Sequence, residues 1–156
     1  MAVEIERKFL VRGNFKNLAI RKYSIAQGFL STVPERTVRI RIRESKGFIT
    51  VKGISDKKGI SRFEWEKEIS KIEAENLLAL CEKVIIEKVR YIVPSNNNLF
   101  FEVDEFLGEN KGLIIAEIEL PNENTFFKKP NWLGDEVTGQ VKYYNAMLAK
   151  KPFNKW

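Results

Sequence analysis

Histidine is absent from this sequence of 156 residues. Its absence excludes histidine as a general base, the Ser-His-Asp and Cys-His triads, and every metal site that needs an imidazole ligand. Any catalytic chemistry must therefore use carboxylates, amines, guanidinium groups and phenols. Carboxylate oxygens favour hard metal ions such as Mg²⁺ or Mn²⁺.

Cysteine is almost absent as well, since Cys81 is the single one and no disulfide can form within the chain. This composition is typical of a reducing compartment, and we expect a cytoplasmic protein. Cys81 lies in an apolar helical pattern, which predicts a place in the core. No apolar run approaches the roughly 20 residues of a membrane span, and the acid at Glu4 does not fit a signal peptide. We therefore expect no membrane partner.

The length fits one domain spanning residues 1–156, because the sequence shows no internal repeat, low-complexity tract or linker. Lysine and arginine together number 27 and the acidic residues 21, which gives a formal net charge of +6. This charge fits an anionic partner, but it does not by itself separate nucleic acid, membrane surface and phosphate ligands.

Charged and apolar residues alternate in several segments with the period of a β-strand. The first segment, Val3 to Leu10, carries Glu4, Glu6 and Lys8 on one face. Another, Thr37 to Glu44, has three arginines on one face: Arg39, Arg41 and Arg43. Further strands are predicted at Tyr23 to Leu30, Phe48 to Lys52, Ser61 to Ile69, Val84 to Val93, Leu99 to Phe106 and Leu113 to Leu120.

Helical patterns are few. Ser70 to Glu73 has the form of a capping box, and the apolar spacing that follows predicts a helix over residues 71–83. Near the end of the sequence, Pro130 to Gly134 is predicted as a turn and Asp135 to Thr138 as the start of a helix. Val141 to Lys150 is predicted as a helix.

The charged strand faces are compatible with two arrangements. An open sheet could expose them to water, or a closed barrel could turn them inward with the apolar faces outward. Three observations favour the barrel: the opposite faces carry large residues that need cover, such as Phe63 and Trp65, the signs of charge are segregated by strand, and pairs of acids recur two residues apart. Such pairs repel unless a cation lies between them. The pairs are Glu4/Glu6, Glu102/Asp104 and Glu117/Glu119.

Bases that enclose a space together with clustered carboxylates suit a polyphosphate bridged by a divalent metal. Phosphoryl transfer depends mostly on positioning and electrostatic stabilisation, so histidine is dispensable. On the pattern alone, a solvated sheet remains an equal alternative. A nucleic-acid-binding sheet is disfavoured because the interleaved acids would repel the phosphate backbone.

The residues resemble a known family. E-I-E-R-K at Glu4 to Lys8 is similar to the E-x-E-x-K signature of the CYTH superfamily, the triphosphate tunnel metalloenzymes. The resemblance extends in order through nearly the whole chain, at Q-G-F-L (Gln27 to Leu30), V-R-I-R (Val38 to Arg41), T-V-K-G (Thr50 to Gly53), E-K-V-R (Glu87 to Arg90), F-E-V-D-E-F (Phe101 to Phe106), A-E-I-E-L (Ala116 to Leu120) and W-L-G-D-E-V-T (Trp132 to Thr138).

The resemblance implies an α+β fold: a closed antiparallel β-barrel of about eight strands with a charged interior, flanked by a few helices. It also implies metal-dependent hydrolysis of inorganic tripolyphosphate to pyrophosphate and phosphate, with Mg²⁺ or Mn²⁺ as cofactor and Lys8 as catalytic residue. The bases that would bind the triphosphate are Lys8, Arg39, Arg41, Lys52, Arg62, Lys88 and Arg90. The carboxylates that would hold the metal are Glu4, Glu6, Asp104, Glu117 and Glu119, with Glu102 nearby.

Two positions depart from the family pattern. Phe29 stands where members usually carry a tyrosine that is proposed to work with the signature lysine in activating water, and phenylalanine has no hydroxyl. Gln140 stands where an aspartate usually follows E-V-T-G. Arg43, Glu64, Glu66 and Glu68 are left open as residues of the tunnel mouth or of structural ion pairs.

Other functions remain open at this point. A class IV adenylate cyclase, which converts ATP to cyclic AMP and pyrophosphate, is a relative within the same fold, although the sequence shows no motif for reading adenine. ATP and thiamine triphosphate are further candidate substrates. A polyphosphate- or nucleotide-binding module with weak catalysis is the third reading, which Phe29 keeps open. A homodimer is also left open, and no nucleic-acid partner is expected.

Overall fold

The computed structural model describes residues 3–156, which form nine β-strands, two short α-helices and several single 3-10 turns. The strands are β1 (Val3–Val11), β2 (Arg21–Ser31), β3 (Thr37–Arg43), β4 (Lys46–Lys52), β5 (Ser61–Ile69), β6 (Ile86–Pro94), β7 (Phe100–Phe106), β8 (Ile114–Glu119) and β9 (Leu133–Glu136). The helices are α1 (Lys71–Leu78) and α2 (Asn145–Leu148).

Eight of the strands form a closed antiparallel barrel. Their order is β5-β4-β3-β2-β6-β7-β8-β1, and β1 pairs with β5 to complete the circle. β9 is an additional strand that pairs with β1 outside this circle. The prediction of an α+β fold built on a closed barrel of about eight strands is confirmed.

Strand β1 joins three neighbours. Its first residues, Val3 to Ile5, pair with β5, and Glu6 to Leu10 pair with β8. Beyond Ile5, the edge that faced β5 becomes free, and β9 fills it at Phe9 and Val11. This change of partner fixes both edges of the strand that carries the E-x-E-x-K signature.

The outward faces of the strands bury their apolar residues under loops and helices. One cluster gathers Phe9, Phe101, Ile118, Phe127 and Trp132, and a second includes Phe106, Ile115, Val137, Tyr143 and Leu148. The cover is incomplete over β5. Phe63 and Trp65, which we expected to be covered, remain 45% and 44% exposed.

Helix α1 begins at the expected place but ends early. The Ser70 hydroxyl accepts a hydrogen bond from the Glu73 amide, and the Glu73 carboxylate accepts one from the Ser70 amide, as the capping box requires. The predicted extension to residue 83 is wrong. The Glu82 amide instead donates to the Phe29 carbonyl of β2, 2.9 Å away, which is incompatible with helical pairing.

The predictions for residues 130–150 were partly wrong. Leu133–Glu136 forms β9 instead of a turn followed by a helix start, because the free edge of β1 offers backbone partners there. The expected helix over Val141 to Lys150 is broken at Tyr144, whose backbone is extended (φ −68°, ψ 137°). Only Asn145–Leu148 is α-helical. Within residues 3–156, no helix has the length and apolar character needed to cross a membrane.

Candidate active site

The barrel encloses a cavity of about 510 Å³ lined mainly by charged side chains of the strands. The bases that the strands contribute are Lys8, Arg39, Arg41, Arg43, Lys52, Arg62, Lys88 and Arg90. The acids that the strands contribute are Glu4, Glu6, Glu64, Glu66, Glu102, Glu117 and Glu119. Asp56, Lys57 and Lys150 line the cavity from outside the strands. The structure therefore brings together nearly all of the residues that the sequence pattern assigned to a binding site. Asp104 is fully buried and does not line the cavity. Glu68 does not line it either, and is exposed near the end of β5 on the strand face that carries Glu64 and Glu66.

The arginines of β3 have few acidic partners. Arg41 is buried, and its Nε donates to the neutral side chain of Gln27 at 2.7 Å. Burial and the neighbouring charges of Arg39 and Arg90 lower the pKa of Arg41 to about 9. The Nε of Arg39 is the one buried side-chain polar atom in residues 3–156 that has no hydrogen-bond partner. Positive charge on this wall is therefore only partly balanced.

A second group of bases is held on β6 by an acid of β7. Arg90 donates to both Asp104 oxygens, from Nε at 2.7 Å and from Nη2 at 2.9 Å. Lys88 lies 2.7 Å from the same carboxylate. Burial lowers the pKa of Lys88 to about 7, and the Asp104 charge opposes this shift only in part.

The carboxylates of β1 and β8 are crowded on the opposite wall. The strand register places Glu6 beside Glu119 and Lys8 beside Glu117. Burial, together with the charges of Glu117 and Glu4, raises the pKa of Glu6 well above its usual value. Burial also raises the pKa of Glu119, and the charges of Glu4 and Glu102 add to the shift. Glu6 and Glu119 therefore lie in a region of excess negative charge, which a bound cation would reduce.

Glu4 is the best-balanced acid of this wall. Its carboxylate contacts Lys52 Nζ at 3.0 Å and Arg62 Nε at 3.5 Å. Although burial opposes the shift, Lys52 and other neighbours lower the pKa of Glu4 to about 2. Lys52 also lies 3.4 Å from Glu64.

Lys8 is buried, and its backbone lies between β8 and the residues that follow β9. Its backbone amide donates to the Thr138 hydroxyl at 2.9 Å, and its carbonyl accepts from the Val137 amide at 2.8 Å. Its Nζ lies 3.9 Å from Glu117. On the outer face, Arg7 donates to both oxygens of Glu136, which ties β9 to β1.

The C-terminal segment closes one part of the cavity. Tyr144, Asn145, Ala146 and Met147 all line it. The Asn145 Oδ1 accepts hydrogen bonds from Gln27 Nε2 at 2.9 Å and from Lys88 Nζ at 3.0 Å. The segment is therefore attached directly to the bases of the tunnel.

The residues that the sequence analysis missed are mostly uncharged. Gln27, Thr138 and Asn145 orient Arg41, Lys8 and Lys88, yet no charge pattern singled them out. Tyr144 lies within Val141 to Lys150, for which the sequence predicts a helix and no cavity residue. The side chain at Phe29 lines the cavity and is only 4% exposed, whereas Gln140 is exposed and makes no side-chain cap.

Comparison with known proteins assigns the family. The model of the CYTH domain matches residues 2–151. The chain belongs to the CYTH domain family. This family of triphosphate tunnel metalloenzymes explains why a closed barrel carries its charges inward.

Two curated relatives and one solved structure carry the same name. The chain is 49% identical to the inorganic triphosphatase of Acetivibrio thermocellus, covering 100% of this chain and 99% of that protein. It is 35% identical to the inorganic triphosphatase of Nitrosomonas europaea, covering 94% and 96%. The crystal structure of the inorganic triphosphatase NE1496 superposes with a TM-score of 0.68 at 31% identity, covering 96% of this chain and 95% of that one.

Membership of this CYTH family implies a divalent metal, and the donor set fits one by its chemistry. Glu6, Glu117 and Glu119 offer carboxylate oxygens on adjacent strands, and the crowding that raises the pKa of Glu6 is what a divalent cation would offset. Within residues 3–156, the side chains themselves are not gathered into a ready cluster of three or more ligands. A bound metal would therefore need these carboxylates to turn toward it.

Proposed function

We propose that this protein hydrolyses inorganic tripolyphosphate to pyrophosphate and phosphate. The observation that carries the proposal is a donor left over on β3: Arg39 Nε is buried without an acceptor, although Arg39 Nη2 contacts Thr50 and Glu66. The neighbouring Arg41 Nε donates to the neutral Gln27. A buried donor without an acceptor costs stability, so its retention points to a ligand that supplies the acceptor. Phosphate oxygens suit guanidinium groups because the planar guanidinium can donate two parallel hydrogen bonds to two oxygens of one phosphate.

The bases that would bind the triphosphate lie on two walls of the cavity. Arg39 and Arg41 approach from β3, and Lys88 and Arg90 approach from β6. Lys8, Lys52 and Arg62 complete the set near the acids. Several positive groups around one polyanion hold the chain of phosphates in a fixed orientation, which supplies much of the catalysis in phosphoryl transfer.

The acids divide into two roles. We assign Glu4, Glu6, Glu117 and Glu119 to a divalent metal, Mg²⁺ or Mn²⁺, which when bound would neutralise charge on the phosphate oxygens. Asp104, which the sequence analysis had grouped with them, orients Arg90 and Lys88, since both of its oxygens already accept hydrogen bonds or ion pairs from these bases.

In the reaction, water attacks a terminal phosphorus, and the bond to the bridging oxygen breaks. Phosphate and pyrophosphate are the products. Lys8 is the proposed catalytic residue, because it lines the cavity and its ammonium lies 3.9 Å from Glu117, one of the proposed metal ligands. From there it can stabilise the charge that develops on the attacked phosphoryl group.

The test is an assay of purified protein with tripolyphosphate, ATP or thiamine triphosphate, each with Mg²⁺ or Mn²⁺. Phosphate and pyrophosphate released from tripolyphosphate are expected to exceed those from the other substrates. Cyclic AMP formed from ATP would contradict the proposal and favour a cyclase. Binding of tripolyphosphate without turnover would contradict it in favour of a binding module.

A matched pair of variants tests the observation itself. Arg39→Met is expected to raise KM for tripolyphosphate by about tenfold or more, because a charged hydrogen bond to phosphate is lost. Arg36→Met removes the same charge from an exposed turn next to β3 and should leave KM unchanged. Equal effects of the two substitutions would mean that the charge of the protein, and not the tunnel wall, binds the substrate.

A further inference from the structure

We infer that the aromatic ring of Tyr144 positions the ammonium group of Lys8. Phe29 cannot do this through a hydrogen bond, because its side chain has no hydroxyl. This inference rests on the proposed triphosphatase function of the same cavity. Tyr144 lies in the C-terminal segment, 136 positions after Lys8 in the sequence. The fold brings the two residues together on the cavity wall.

The contact is between the cation and the face of the ring. Lys8 Nζ lies 4.8 Å from the centroid of the Tyr144 ring, and Arg62 Cζ lies 5.7 Å from it. Both distances are within the range in which a ring attracts a cation. In residues 3–156, Tyr144 is the only tyrosine that lines the cavity. The ring thus contacts two bases of the proposed binding site at once.

The ring balances the pull of the acids on Lys8. Glu117 lies 3.9 Å from Lys8 Nζ, which is longer than a hydrogen bond. A short ion pair with Glu117 would turn the ammonium toward the acidic wall. The Tyr144 face attracts the same charge without supplying an acceptor in one fixed direction, so all three N–H groups stay free for phosphate oxygens.

Two glycines make room for this ring. A Cβ added at Gly59 would overlap the Gly139 Cα and would lie 3.1 Å from the Tyr144 hydroxyl oxygen. Gly59 and Gly139 also have positive φ angles of 72° and 78°, which glycine adopts without strain. The loop at Gly59 therefore approaches the phenol so closely that a larger residue there would displace it, and Gly139 in turn leaves room for Lys58 and Gly59.

The backbone of Tyr144 is fixed as well. Its carbonyl accepts from the amides of Met147 and Leu148, each at 2.9 Å, and its own amide donates to the Val141 carbonyl at 3.0 Å. The next residue, Asn145, is bound to Gln27 and Lys88. The ring is therefore presented from a rigid support, which is what a positioning residue needs.

The experiment compares Tyr144→Phe with Tyr144→Leu on tripolyphosphate hydrolysis. The phenylalanine variant keeps the ring face and should retain kcat within about twofold, while the leucine variant should lose about tenfold in kcat. Equal losses in both variants would overturn the inference, because the hydroxyl and not the ring would then be the acting group. Full activity of the leucine variant would overturn it too.

A double-mutant cycle shows whether Tyr144 acts through Lys8. In a Lys8→Met background, Tyr144→Leu should cause a smaller loss than in the wild type, since the nearer of the two cations that the ring contacts has gone and only Arg62 remains. A further loss of the same size would contradict the inference. Tyr143→Leu, in the buried cluster on the other side of the segment, serves as the control for general loosening and should leave kcat unchanged.

A spectroscopic readout keeps the inference testable independently of turnover. The ε-methylene protons of Lys8 should be shifted upfield by the ring in the wild type and in Tyr144→Phe, and this shift should vanish in Tyr144→Leu. If the wild type fails to hydrolyse tripolyphosphate but the shift behaves in this way, the proposed function fails and the contact stands. An unshifted Lys8 signal in the wild type overturns the contact. Should Tyr144→Leu fail to fold in a thermal melt, Tyr144→Met replaces it.

Discussion

Arg90 and Asp104 form a bidentate ion pair inside the barrel wall, with Nε and Nη2 of the arginine 2.7 and 2.9 Å from the two carboxylate oxygens. Both residues are buried, at 6% and 0% exposure. The pair joins β6 to β7 and leaves Arg90 Nη1 near Glu102, 3.2 Å away at the cavity surface. One acid thus fixes the direction of a base that faces the proposed substrate.

Asp104→Asn should destabilise the protein by about 3 kcal/mol, because removing one partner leaves the buried Arg90 charge uncompensated. The loss should appear in the free energy of unfolding from denaturant titration. Glu109→Gln makes the same chemical change at an exposed position and should alter stability little. Binding of tripolyphosphate should weaken as well, since Arg90 and Lys88 lose their common anchor. A stability equal to the wild type would show that Asp104 does not balance these bases.

Strand alternation predicted most of this site. The charges of β1, β3, β6 and β8 could be assigned to the interior because inward and outward residues alternate strictly, and the apolar residues between them needed cover. Asp104 was recognised as part of this set, but its role could not be read from spacing. Whether a carboxylate binds a metal or an arginine depends on which side chain the neighbouring strand places opposite it, and Asp104 lies opposite Arg90.

The remainder could not be predicted because it depends on contacts between distant parts of the chain. β9 forms where β1 is no longer paired with β5, and no local pattern in Leu133–Glu136 predicts a strand there. Gln27 and Asn145 are neutral and meet only after the barrel has closed. Tyr144 has helical spacing with Met147 and Leu148, yet its own backbone is extended, so its ring leaves the helical face and turns to the cavity.

Glu6→Gln should abolish turnover and the response to metal while preserving the fold. One proposed metal ligand loses its charge, and the crowding among Glu6, Glu117 and Glu4 is relieved. Activity should be measured over a Mn²⁺ titration, together with thermal melts with and without Mn²⁺. The metal should raise the melting temperature of the wild type but not of the variant. Glu68→Gln, at an exposed position near the end of β5 that does not line the cavity, is the control and should behave like the wild type. Normal metal-dependent activity of Glu6→Gln would remove Glu6 from the metal site.

Phe29→Tyr should change kcat by no more than about twofold if the ring of Tyr144 already positions Lys8. On the family pattern alone, a tyrosine at this position would be expected to raise activity, because it restores a hydroxyl. The side chain is 4% exposed and belongs to the buried cluster that includes Ile86 and Phe106, so the added hydroxyl also has to find a partner. Steady-state kinetics on tripolyphosphate distinguish the two expectations. A large gain in kcat would mean that the missing hydroxyl limits the reaction.

Lys88 should make substrate binding sensitive to pH near neutrality. Burial lowers its pKa from 10.5 to about 7, so the folded protein loses this proton at a pH where the unfolded chain still holds it. Between these two values the unfolded state binds more protons, and the free energy of unfolding therefore rises with pH, while the positive charge available to phosphate falls. KM for tripolyphosphate should increase about fivefold from about pH 7 to about pH 8, as expected for one titrating group.

Lys88→Arg supplies the matched control for this pH dependence. Arginine stays charged throughout the range, so the variant should show a flatter KM profile even if its KM is higher at every pH. The ratio of the two KM values cancels the titration of the substrate itself, which is common to both enzymes. The range stays below the pKa of about 9 for Arg41, so the second buried base does not interfere. Parallel profiles in the two enzymes would show that Lys88 keeps its proton at neutral pH, and that its ion pair with Asp104 outweighs burial.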